Sequence, residues 1–357
     1  MLVKENENEK KPEEFMKKVI KDISGTLTIA MCAIGDRLGL FKDLHINGPA
    51  TSSELAKRNN INERYAREWL YALGAAGYLK YNKSNQQFSL PSNHAPILAQ
   101  ELGPMFLGGH IEQMPSLWNV FNQVLKAFQR GGGVNQTNYD QYWWEGIERV
   151  TAISFENLLV QKWIPVTSDI QSRLKKGIMV ADIGCGHGRA LIKLAQTFPK
   201  STYIGYDIHE PNIARAIENA KHFGVEDRVF FKQLDIENGI PEQYDLITTF
   251  DVIHDLKNPL KTLNVIRKAL KAEGTYLLLD FKSSDNLEEN FGSIGALMYG
   301  FSVFFCMTTS LAVGGEGLGT LGMPPSKVKE LCLKAGFSIV NQLPIEDNIK
   351  MLYEIKN

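Results

Sequence analysis

Apolar residues in the second half of this 357-residue chain come in short continuous runs separated by stretches of helical spacing. That is the pattern of a mostly parallel sheet covered on both faces, an α/β fold. Strands are expected from Ile178 to Asp182, at Ser201–Tyr206, Val229–Leu234, Tyr244–Phe250 and Thr275–Phe281. Between them, Pro211–Phe223 puts Ile213, Ala216, Ile217 and Ala220 on one helical face, and Asn258 with Pro259 opens a helix to Leu270. A helix over Lys327–Ala335 and strands at Phe337–Leu343 and Lys350–Ile355 close the pattern.

The first half has helical spacing instead. Residues 1–14 form a polar tail of alternating charge. Phe15–Leu44 reads as two helices, and its run Leu27–Ile34 is too continuous for a solvated face, so a second copy of the chain or another domain is expected to cover it. Thr51 and Glu54 form a capping box at the start of a helix. A turn at Asn62, a second helix to about Ala76 and two short strands around the Asn82–Gln87 turn complete a helix-turn-helix with a wing. Lys57, Arg64 and Arg67 are available to nucleic acid, but Glu63 and Glu68 interrupt the basic face, which favours dimerisation over DNA binding. Residues 15–100 are read as this domain, 101–170 as a helical linker contributing to the functional site, and 171–357 as the sheet domain.

A net charge of −1 provides no field for nucleic acid or anionic membrane. Four scattered cysteines and the lack of a secretory pattern suggest a cytoplasmic protein with free thiols and no metal site. Phe291–Gly315 carries no charge and is long enough to cross a bilayer, yet it lies between two strands of one sheet, so a buried helix and no membrane contact are expected.

The chemistry starts at Asp182-Ile-Gly-Cys-Gly-His-Gly188. Gly184, Gly186 and Gly188 let main chain approach a ligand closely where a strand turns into a helix. A dinucleotide turn would read Gly-x-Gly-x-x-Gly, but Arg189 stands where its third glycine belongs. Asp182 before the turn suits a cationic ammonium better than a pyrophosphate. Asp207, roughly twenty residues on, ends the second strand where a carboxylate can accept from a ribose diol.

The glycine turn resembles motif I of class I S-adenosylmethionine-dependent methyltransferases. With Ile34–Phe41, Gly48–Ala56, Glu63–Leu70 and Ser310–Gly319, the chain is similar to bacterial and archaeal methyltransferases that join a winged helix to such a domain, and more distantly to plant-type small-molecule O-methyltransferases. The resemblance implies a Rossmann-like sheet with one antiparallel strand, and S-adenosylmethionine held by Asp182, Gly184, Gly186, Gly188, Asp207, Ile208, Asp235, Ile236, Phe250 and Asp251. Asp235 would take the adenine amino group and Ile236 would cover the ring. It further implies a small-molecule methyl acceptor and, for His254-Asp255, a base whose tautomer Asp255 fixes; a purely structural histidine is the other reading, because Leu256 replaces the expected tryptophan. Tyr139, Trp143, Trp144 and Tyr299 are candidates for the acceptor pocket, with interdomain core as the alternative for the linker aromatics. Gly314–Gly322 reads as a lid hinge or a flexible connection. A homodimer, a donor-sensing transcriptional regulator with the same fold, and a nicotinamide dehydrogenase complete the set of readings to be separated.

Overall fold

The computed structural model describes residues 12–357, so most of the expected polar tail lies outside the described residues. The chain divides into two compact units between Pro115 and Ser116.

In the first unit, α1 (Pro12–Arg37) and α2 (Leu40–Ile46) occupy the stretch expected as two helices. α3 (Ser52–Asn59) starts on the capping box: Glu54 N donates to Thr51 Oγ1 at 3.3 Å and Thr51 N to Glu54 Oε2 at 2.7 Å. α4 (Glu63–Ala75) and the antiparallel pair β1 (Lys80–Asn82) and β2 (Gln87–Ser89) form the helix-turn-helix and wing. Phe41, Leu55, Trp69, Leu70 and Phe88 share its core, and Trp69 Nε1 donates to Met31 O at 2.8 Å. Arg64 pairs with Glu68 at 2.5 Å and Arg67 with Glu63 at 2.6 Å, so both arginines of α4 are matched within the helix. α1 leaves Phe15, Val19, Ile20, Ile23 and Leu27 exposed along one face. α5 (Ala95–Leu98) follows, and α6 (Gly108–Asn119) carries the chain across the division.

The second unit begins with α7 (Phe121–Arg130), which ends at Gly131 and Gly132, both at positive φ. α8 (Gln141–Ser154) runs on through a π-helical stretch at Phe155–Trp163, and α9 (Ile170–Lys176) leads into the sheet. The sheet comprises β3 (Met179–Ile183), β4 (Thr202–Asp207), β5 (Val229–Gln233), β6 (Tyr244–Phe250), β7 (Leu270–Phe281), β8 (Ile339–Leu343) and β9 (Lys350–Lys356). Their order is β5-β4-β3-β6-β7-β9-β8, with β9 antiparallel to both its neighbours and the first five strands parallel. α10 (Arg189–Thr197), α11 (Glu210–His222), α12 (Pro259–Ala269) and α15 (Pro325–Lys334) cover it. Alternation along β3 sends Val180 into a core with Leu191, Leu194 and Tyr203, and Ala181 into another with Ile247, Leu263 and Ile266. Strand order reverses between β3 and β6, which places a crevice at the carboxyl ends of those two strands.

α13 (Ser293–Phe301), a π-helical stretch at Ser302–Cys306 and α14 (Met307–Ala312) form one helical segment long and apolar enough to cross a membrane. The expected buried helix holds only for its second part. Phe305, Cys306 and Thr308–Ser310 are buried, whereas Ile294, Leu297 and Tyr299 are exposed.

Candidate active site

β3 ends at Ile183 and α10 starts at Arg189, leaving the glycine turn between them. Gly184 and Gly188 have φ of 67° and 77°, and an added Cβ would stand 2.6 Å from Val252 Cγ2 and 2.3 Å from Phe231 Cζ respectively. These two glycines let the turn lie flat on the sheet. Gly186, at φ 51°, is different: a Cβ there would meet nothing within 4 Å. Its amide donates to Asp207 Oδ2 at 2.9 Å, and His209 N donates to Asp207 Oδ1 at 2.8 Å. Asp207 therefore anchors the turn, and burial raises its pKa above the usual carboxylate value against those hydrogen bonds.

Asp182 is 3% exposed and accepts from Thr248 Oγ1 at 2.7 Å. Burial pushes its pKa up to about 7, with Thr248 opposing. The carboxylate expected to meet a cation thus sits buried beside a neutral partner. Ile208 is exposed after β4; Asp235 is exposed after β5 and accepts from Glu237 N at 3.0 Å, while Ile236 beside it is buried. Phe250 closes β6 against Phe155 and Trp163. Asp251 follows at φ 59°, ion-paired to Lys350, whose ammonium lies 3.4 Å from the centroid of the Phe281 ring. A non-glycine residue in this left-handed region marks strain held by its surroundings.

His254 is 1% exposed, and its Nδ1 is 2.7 Å from Asp280 Oδ1 at the end of β7. The partner that fixes the imidazole is therefore Asp280, not the expected Asp255. β7 lies beside β6 in the sheet and brings Asp280 to His254, a neighbour relation that adjacency in sequence does not convey. Burial lowers the imidazole pKa, but Asp280 and Cys306 outweigh it and hold His254 above the ordinary histidine value. Asp255 is pushed up to about 7 by burial, with His254 opposing.

Glu148 on α8 was not visible as a site residue in the sequence. It meets His187 Nδ1 at 2.9 Å and Asn219 Nδ2 at 2.9 Å and pairs with Arg215 at 3.3 Å, tying α8 to the glycine turn and α11. Burial acts to raise its pKa, yet His187, Arg215 and Asn219 hold the carboxyl at about 2. An acid on an amphipathic helix carries no motif, so only its placement reveals it.

Of the linker aromatics, Tyr139 and Trp143 are buried against Phe305, with ring centroids 5.1 and 4.5 Å away, and Tyr139 Oη donates to Phe304 O. They form core packing in this unit, although Trp143 Nε1 is buried with no hydrogen-bond partner among the described residues. Trp144 stacks on His209 at 4.7 Å, just beyond the carboxyl end of β4, and Tyr299 is exposed on α13. Gly314–Gly322 is pinned rather than free: Gly319 N donates to His254 O at 3.1 Å, Glu316 N to Lys257 O at 3.1 Å, and Gly317 N to Ser310 Oγ at 3.2 Å, which in turn donates to Leu256 O at 2.8 Å.

Residues 174–302 match a methyltransferase domain family, and residues 25–100 match an Rv2258c-like winged helix-turn-helix domain. The chain carries a methyltransferase domain behind a winged helix-turn-helix. The methyltransferase match takes in β3 to β7, and so both the glycine turn and the His254–Asp280 pair. Solved structures share the architecture along the whole chain. The mitomycin 7-O-methyltransferase MmcR is 18% identical with a TM-score of 0.74, covering 97% of this chain and 98% of its own. Human N-acetylserotonin methyltransferase in complex with SAM is 15% identical with a TM-score of 0.72, covering 99% of each chain. PigF with SAH is 18% identical with a TM-score of 0.75, covering 96% of this chain and 99% of its own. Curated relatives match over shorter stretches. A tRNA U34 carboxymethyltransferase of Helicobacter acinonychis is 33% identical over 109 residues, 29% of this chain and 40% of the relative. A highly reducing polyketide synthase of Emericella nidulans is 32% identical over 113 residues, 29% of this chain and 4% of the relative. The chain thus spans well under two thirds of the length of the curated relatives it matches.

Proposed function

We propose that this protein transfers a methyl group from S-adenosylmethionine to a small apolar or aromatic acceptor, with oxygen as the favoured acceptor atom. The observation that carries the reading is the open space at Gly186, on a turn anchored by Asp207 and backed by buried Asp182. Bare main chain and a helix start there can hold the amino-acid end of the donor, and Asp207, Asp235 and Ile236 stand where the nucleoside would lie. When bound, the donor supplies a methyl group already activated on a sulfonium.

What remains for the chain is to exclude water, align the acceptor and take one proton. Alignment alone is worth up to roughly 7–11 kcal/mol in ideal cases. His254 is the proton acceptor in this reading, with Asp280 fixing its tautomer and stabilising the imidazolium that forms. Trp143, whose Nε1 has no partner among the described residues, the exposed Tyr299 and the half-buried Trp144 are the acceptor-side candidates. The exposed apolar face of α1 supports a homodimer through the N-terminal unit, and four free cysteines fit a reducing cytoplasm. A donor-sensing regulator is disfavoured, because the α4 arginines are matched by their own glutamates. Calorimetry against S-adenosylhomocysteine and against NAD tests the reading: binding of the first and not the second is expected, and the reverse would replace it with a dehydrogenase.

A further inference from the structure

We propose that His254, Asp255 and Cys306 form a binding site for a thiophilic divalent cation of the Zn²⁺ class. One ligand atom from each residue, the imidazole nitrogen, a carboxylate oxygen and the thiol sulfur, lies within 4.8 Å of the other two. Tetrahedral Zn²⁺ with bonds of about 2.0–2.3 Å holds its ligands about 3.3–3.8 Å apart, so closure needs only side-chain movement.

Three further features suit a metal. His254 Nδ1 is engaged by Asp280 Oδ1 at 2.7 Å, which leaves Nε2 as the ligand atom and reproduces the carboxylate–histidine–metal arrangement that orients an imidazole. Thr320 Oγ1 donates to Cys306 Sγ at 3.1 Å, a contact that stabilises a thiolate. Asp280 is fully buried, and its Oδ2 has no hydrogen-bond partner among the described residues, so the carboxylate that orients His254 keeps a free acceptor oxygen beside the cluster.

Sulfur, imidazole and a single carboxylate select Zn²⁺ over Mg²⁺ or Ca²⁺, which prefer oxygen ligands. His254 and Cys306 are buried and Asp255 is half-buried, so the carboxylate marks the solvent side of the cluster. Three protein ligands leave a fourth position for water. A metal on Nε2 takes the lone pair that proton removal needs, so the metal-free site is the one that takes the proton in methyl transfer, and occupancy by Zn²⁺ blocks that role. The inference rests on the coordination set and stands independently of donor binding.

The test is a titration of the chelator-treated full chain with Co²⁺ as a spectroscopic probe and Zn²⁺ as competitor. A sulfur-to-cobalt charge-transfer band, displaced by Zn²⁺ and lost in Cys306→Ser, is expected. Asp280→Asn should weaken Zn²⁺ binding about 10- to 100-fold while keeping the band. Asp255→Asn, at the most exposed ligand, provides the second variant: a weakened titration with the band retained supports the site. No band in the wild type, or one that survives Cys306→Ser at unchanged affinity, overturns it. Calorimetry with S-adenosylhomocysteine on the same samples reports the donor site separately.

Discussion

Adding a single methyl group to the glycine turn separates its structural from its functional glycines. In Gly188→Ala the new Cβ would stand 2.3 Å from Phe231 Cζ and 3.2 Å from Ala216 Cβ, at a φ of 77°. The left-handed backbone costs an alanine about 1–2 kcal/mol, and overpacking adds about 1–3 kcal/mol. The sum of roughly 2–5 kcal/mol lowers the melting temperature by roughly 4–20 °C for a unit of this size. In Gly186→Ala the backbone cost is similar, at a φ of 51°, but the Cβ meets nothing within 4 Å. Its thermal loss should stay near the backbone component alone. The methyl group then occupies the space assigned to the donor, and an overpacking cost of about 1–3 kcal/mol weakens S-adenosylhomocysteine roughly 5- to 150-fold. Differential scanning calorimetry and isothermal titration of the two variants read both quantities. The reasoning is refuted if Gly186→Ala binds the product with wild-type affinity, or if the two variants melt together.

Three other outcomes are expected. Because Asp280 and Cys306 hold the His254 imidazole above its ordinary pKa, methyl transfer that uses it as a base should rise with pH along a limb above the usual histidine range; Asp280→Asn should move that limb down, and a His254→Ala variant with unchanged turnover and profile would remove the role. Asp182 stays protonated in the folded chain up to about pH 7 but ionises near its ordinary value when unfolded, so it makes stability fall as pH rises from about 4 to 7 and then level off. Denaturant unfolding of Asp182→Asn should lack that component, and an identical pH dependence in both proteins would exclude it. Finally, Ile23→Asp on the exposed face of α1 should yield a monomer by light scattering if that face joins two copies, whereas an unchanged mass would assign the apolar stripe elsewhere.

Much of this protein follows from local rules. The parallel strands are legible because residues buried on both faces leave uninterrupted apolar runs, and β6 (Tyr244–Phe250) coincides with its expected span. The α3 capping box is legible because both partners lie within four residues, and the three-glycine turn because close approach of main chain tolerates no side chain. What required the tertiary structure were relations across the sheet. Asp280 replaced Asp255 as the partner of His254 because β7 lies beside β6, and proximity in sequence has no bearing on which carboxylate reaches an imidazole. Glu148 joined the glycine turn from a helix some forty positions earlier. Gly314–Gly322, flexible by composition, is held by hydrogen bonds to the His254–Lys257 segment that no local pattern encodes. Periodicity reports burial, which each residue experiences with its neighbours in the chain; contact chemistry depends on which strands lie side by side, and that is decided only when the sheet closes over its helices.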